Sequence, residues 1–164
     1  FETIFDAEKY LYYFMKAELK KINNDTICHM ANNEWRPLCY LRAEYNYYKK
    51  LTTRGHKFYS LCYGNSSTEQ ECVKLYKKFG VNFKLVKEKF TNDILVFSDY
   101  FINIYIPEEL QIKMKSYLEN KETIKLLNEV LDKKASIRVI ITKDKALANQ
   151  IKAQTLKKFK GKTH

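Results

Sequence analysis

Three histidines, four cysteines and nineteen carboxylates are the residues of this chain with the most chemistry to offer. The cysteines stand at Cys28, Cys39, Cys62 and Cys72, with no C-x-x-C spacing, so neither a zinc site nor a redox pair is indicated. No metal and no cofactor are expected. Cys28 and Cys62 fall in strand-like runs and read as buried small hydrophobes. His164 is terminal, and His56 follows Gly55 at the start of an apolar run, where it reads as a strand-end residue. His29 stands apart. It lies in "TICHMANNEW", near the C-terminal end of a short apolar run. In open α/β sheets that edge is where ligands bind. The same edge collects Asn32, Asn33, Trp35 and Arg36 after the first run, and Asn65 and Ser66 after the second. Amides and hydroxyls bond polar groups, and an indole gives an apolar or stacking wall. His29, Asn32, Asn33, Trp35, Arg36, Asn65 and Ser66 are therefore the candidate small-molecule site. Each has a bland alternative: a packed histidine, a half-buried tryptophan anchor, or cap and turn residues in "GNSST". No Asp/Glu pair stands out as a general acid and base. The four glycines stand alone, so a phosphate loop is absent, and so is a G-x-S-x-G elbow.

The elements that must position these residues can be read from the pattern. Asp6 can cap a helix to about Ile22, with Tyr10, Leu11, Phe14, Ala17 and Leu19 on its apolar side. "TICHMA" at 26–31 reads as a buried strand. Pro37 opens a helix to about Arg54 with Leu38, Leu41, Tyr45 and Tyr48 in a stripe, closed by Gly55. Then come a strand at 56–63, a helix closed by Gly80, and a strand at 81–86. Helix and strand alternating three times predict parallel strands with crossover helices, an α/β layered fold. After Phe90 the rhythm changes. "DILVF" and "FINIYI" are joined by "SDY", too short for a crossover, and predict an antiparallel hairpin over residues 94–106. Residues 108–118 fit strand or helix. A helix follows with Ile124, Leu127, Val130 and Leu131 on one face, then a buried strand at 136–142. A last helix carries Ala146, Leu147, Ile151 and Thr155 on one side.

The 164 residues suit one domain, and the composition, 45% hydrophobic and 15% aromatic, is globular. No run reaches the ~20 apolar residues of a bilayer span, and the acidic N-terminus is not a signal peptide, so a cytoplasmic protein without membrane contact is expected. The chain opens on Phe rather than Met, which suits an excerpt of something longer. The net charge is +11, with 14 basic residues against 7 acidic from residue 108 onward. Lys157, Lys158, Lys160 and Lys162 form a basic tail that can attract nucleic acid. AT-rich coding and a solvated helix face account for the same excess.

The order of elements resembles the phospholipase D-like domain, in the non-catalytic form that serves as effector domain in TrmB-type archaeal transcriptional regulators. The resemblance rests on "FETIFDAEKYLYYFMKAELKK", the "NNEW" loop, "KKLTTRGHKFYSL", "FGVNFKLV", "DILVFSDYFINIYI" and "VIITKDKALANQIKAQTLKKF". That superfamily uses H-x-K-x-x-x-x-D, in which His is the nucleophile and Lys steadies the phosphate. With Asp99 at the Asp position, Asn92 falls at the His position and Ile94 at the Lys position. An amide is a poor nucleophile and isoleucine holds no phosphate, so phosphodiesterase activity is not expected. The resemblance implies a ligand-sensing and dimerisation domain over residues 1–164, a homodimer, a small-molecule effector, and DNA contact through a winged helix upstream. The rival readings are a basic nucleic-acid-binding module and a diverged phosphoryl-transfer enzyme.

Overall fold

The computed structural model describes residues 1–160. Its centre is a six-stranded mixed sheet. The first half of the chain supplies α1 (Ile4–Leu19), β1 (Thr26–Ala31), α2 (Arg36–Thr53), β2 (Lys57–Cys62), α3 (Ser67–Lys78) and β3 (Asn82–Leu85). The second supplies β4 (Asp93–Phe97), β5 (Tyr100–Tyr105), α4 (Glu108–Glu119), a single turn α5 (Thr123–Leu126), β6 (Arg138–Lys143) and α6 (Lys145–Lys157). The strand order is β3-β2-β1-β4-β5-β6. β1, β2 and β3 are parallel, while β4 runs antiparallel to β1 and opens the expected hairpin with β5. The fold is α/β and layered, as the alternation predicted.

The helix ends follow their cap residues. Ser66 and Glu69 form a reciprocal capping box on α3. Gly55 and Gly80 take φ of +76° and +87°, a conformation that disfavours any side chain. For α1 the cap is Thr3, whose hydroxyl accepts the Asp6 amide, and Asp6 itself lies in the first turn.

The helical faces are less well foretold. α1 buries Ile4, Ala7, Leu11, Met15 and Leu19, ends at Leu19, and leaves Tyr10 and Ala17 exposed. α2 buries Pro37, Tyr47, Tyr48 and Leu51, while Leu38, Leu41 and Tyr45 point outward. The helix is kinked at Tyr40 (φ −131°, ψ 26°), and beyond the kink its inward face centres on Tyr47, Tyr48 and Leu51. Residues 108–118 are helical, with Leu110, Met114 and Leu118 buried one turn apart. The expected helix beyond them is broken: α5 passes into a π-helical turn, Leu127–Leu131. Ile124 is 70% exposed, while Leu126, Val130 and Leu131 are buried. β6 is an edge strand rather than a buried one, and Ile140 is 51% exposed. α6 turns Ala148, Lys152 and Thr155 inward, with Ala146 exposed.

Helices α1, α2 and α3 cover one face of the sheet over a core of Leu11, Ile27, Tyr48, Phe58, Tyr76, Phe97 and Ile102. α6 covers the other, on Cys28 and Val96. A second core joins the start of α1 to Trp35, α4 and the π-helical turn. All four cysteines are free thiols, and Cys39 alone is not fully buried.

Candidate functional site

Alternation along β1 decides which side chains meet. Ile27, His29 and Ala31 face the α1–α2 side, and Cys28 and Met30 face α6. His29 is therefore turned under the helices. There it borders a cavity of about 300 Å³ between α1, α2 and the sheet. Side chains bridge α1 and α2 above it. Arg36 clasps Glu8 through Nη2 (2.6 Å) and Nε (3.0 Å), and Tyr12 meets Tyr47 with ring centroids 4.9 Å apart.

The polar lining is a connected network. His29 Nδ1 lies 3.3 Å from Ser60 Oγ. Burial, with Arg36 adding to it, holds the imidazole well below its ordinary range, so His29 is neutral. Glu34 Oε1 accepts the backbone amides of Trp35 and Arg36 (both 3.1 Å) and lies 3.4 Å from Arg36 Nη1. The Tyr76 hydroxyl stands between two carboxyl groups, 3.2 Å from Glu34 and 2.8 Å from Glu44. A phenol has one proton to give. Both contacts are filled when Glu44 carries a proton of its own and donates to Tyr76, which donates to Glu34. Burial pushes the Glu44 carboxyl up to about 7, in keeping with that arrangement.

The seven residues expected to form one site divide between places. His29 and Arg36 border the cavity. Asn33, Asn65 and Ser66 line an open cleft of about 530 Å³ at the C-terminal edge of β1–β3, with Tyr63 and Lys115. Asn32 and Trp35 border neither. The Asn32 side chain pins the loop before β4, exchanging hydrogen bonds with the Phe90 backbone (2.8 and 2.9 Å), and the Asn32 backbone N–H donates to Asp93 (3.0 Å). Trp35 is 2% exposed, packed against Phe5 and Tyr40, and cannot serve as a stacking wall. Glu8, Glu34, Glu44, Ser60 and Tyr76 were not among the expected site residues. Among the described residues no group of three or more His, Cys, Asp or Glu is placed to hold a metal.

At the hairpin, Asn92 Nδ2 donates to Asn103 Oδ1 (2.7 Å) and Ile94 packs near the α6 face. Asp99 is a turn residue whose carbonyl accepts the Asp144 amide (2.8 Å). Neither the Asn92 amide nor the Ile94 side chain can attack or hold a phosphate. Lys157, Lys158 and Lys160 are exposed at the end of α6, and Lys162 lies outside the described residues. No helix of the described residues is long and apolar enough to cross a membrane.

No protein-family model matches the chain, and no curated protein does. Among solved structures it is similar to TrmBL2, described as an archaeal chromatin protein with a novel mode of DNA binding. The TM-score is 0.52 at 11% identity, over 97% of this chain and 51% of TrmBL2. At that identity the likeness is one of fold, and the chain spans about half the length of its neighbour.

Proposed function

We propose that residues 1–164 form the ligand-sensing and dimerisation domain of a DNA-binding regulator of the TrmB type, on a phospholipase D-like scaffold that has lost its chemistry. The cavity under α1 and α2 carries this reading. Its 300 Å³ is at the lower end of the range for small-molecule pockets, and its polar groups converge from five elements. The fold shared with a DNA-binding archaeal protein and the Asn92 and Ile94 substitutions support it. An effector there shifts the equilibrium between two arrangements of the DNA-binding units, and the cytoplasm is the place for such a protein.

The test is a thermal-shift screen of sugars, polyols, amines and nucleosides. Ala43→Trp serves as control, because Ala43 is exposed on α2 and borders the cavity. At least one compound is expected to raise the melting temperature of the parent and not of the variant. Sedimentation is expected to show a dimer. A monomer that no compound stabilises sinks the proposal. Turnover of a generic phosphodiester, abolished by Asp99→Ala, would revive the enzyme reading instead.

A second reading rests on charge. Lys157, Lys158 and Lys160 sit exposed together, and Lys84 of β3 donates to the Lys158 carbonyl (2.9 Å). A polyanion surface there predicts duplex affinity that falls steeply with salt. A titration without affinity at low salt removes it.

A further inference from the structure

We infer that the cavity under α1 and α2 takes an organic ammonium compound, a primary or methylated amine on a short aromatic or branched apolar arm. Its cationic head lies against the Glu44 carboxylate and its arm among the tyrosine and phenylalanine rings. The inference rests on the sensor reading above and gives that site its ligand class.

The charges of the lining lead there. Three carboxyl groups, Glu8, Glu34 and Glu44, border the cavity with a single guanidinium, Arg36. Arg36 is already spent, held by both oxygens of Glu8 and paired with Glu34. Lys9 also borders the cavity but is exposed and makes no ion pair with Glu44. Glu44 thus has no cationic partner among the described residues, and its hydrogen-bond partner is the shared Tyr76 hydroxyl. An anionic ligand meets three carboxyl groups, with Arg36 already engaged and Lys9 exposed to solvent. A sugar needs many unspent donors and acceptors, whereas His29 is bonded to Ser60 and Glu34 to its own loop.

The walls fit the arm. Tyr12, Tyr47, Tyr48, Phe58 and Phe83 line the same space. Aromatic faces carry the negative pole of the ring quadrupole and attract ammonium groups within about 6 Å. The Tyr47 hydroxyl is buried without a hydrogen-bond partner, so this wall holds polar capacity that the protein itself leaves unused.

Proton balance follows. The groups around Glu44 are Tyr76 on α3, Glu34 and Arg36 before and at the start of α2, Tyr48 on α2, and Glu8 on α1. Burial raises Glu44 to about 7, so below that pH it is protonated when the cavity is empty. An ammonium head re-ionises it. The Glu44 proton leaves to solvent, and an ion pair replaces the carboxylic acid.

The experiment is isothermal titration with phenethylamine and its neutral analogue 2-phenylethanol, in two buffers of different ionisation enthalpy at about pH 6, below the Glu44 value of about 7. The amine is expected to bind about tenfold or more tighter than the alcohol and to release up to one proton. Glu44→Gln should weaken the amine by about ten- to a hundredfold and leave the alcohol unchanged. Ala43→Trp should remove both. Alcohol binding as tight as amine binding, or an amine indifferent to Glu44→Gln, overturns the ligand class. The sensor reading then survives as long as Ala43→Trp still blocks the alcohol. If neither probe binds, the ammonium proposal fails, and the thermal-shift screen alone decides the sensor reading.

Discussion

Asp93 and Glu44 are two carboxyl groups that burial raises to about 7 each. Their ordinary values are 3.8 and 4.5, so between about pH 4 and pH 7 the unfolded chain has released protons that the folded chain keeps. The two groups therefore lend stability at acid pH, and that contribution is lost as pH rises to about 7. His29 and His56 act oppositely, because burial lowers both below 6.5 and folding is favoured as they deprotonate. A single substitution separates the contributions. Asp93→Asn keeps an oxygen for the Asn32 amide and removes the titration. We expect its melting temperature to exceed the parent's above pH 7 and to match it near pH 4. Equal differences at both pH values would show that Asp93 ionises normally. Glu44 was readable in the sequence: Tyr40, Glu44, Tyr47, Tyr48 and Leu51 share one helical face, an acid in an aromatic stripe. A stripe phased on Leu38 and Leu41 conceals it. The partnership of Arg36 with Glu8, 28 residues away, has no local signal at all.

Among the elements, capping chemistry was legible and helix phase was not. Ser66, Gly55, Gly80 and the short "SDY" turn mark their boundaries because each solves a backbone problem on the spot. Phase depends on events such as the kink at Tyr40 and the π-helical turn at Leu127–Leu131, which tertiary packing imposes. The hairpin turn is likewise held from outside. Ser98 takes φ +48°, its amide donates to Asp25, and Lys152 of α6 donates to Asp25 (2.7 Å) and to the Ser98 carbonyl (2.9 Å). The Lys152–Asp25 pair is largely buried, with both side chains 11% exposed. Lys152→Met removes the cation and leaves Asp25 buried with only backbone for company. The loss expected is about 3 kcal/mol, read as a lower midpoint in chemical denaturation. An unchanged midpoint would mean that the turn holds itself.

At the scale of the molecule, the alternation of helix and strand signals the parallel half, and the "SDY" turn signals the hairpin. The sharing of β1 between them had no signature, because β1 and β4 lie more than sixty residues apart. The register between them is short: Cys28, His29 and Met30 face Val96, Leu95 and Ile94. On one side stand three parallel strands and on the other an antiparallel meander, joined covalently through the exposed residues Lys87, Glu88 and Lys89. α6 belongs to the second half yet lies across β1 and β2 as well as β4 and β5, as a clasp does. Separate chains of residues 1–87 and 88–164 are expected to fold poorly alone and to recover the parent circular dichroism when mixed. Two independently folded fragments that ignore each other would contradict this. His29 and Leu95, partners across the joint, both border the cavity. An occupant of that cavity would therefore touch both halves of the sheet at the one strand pair that unites them.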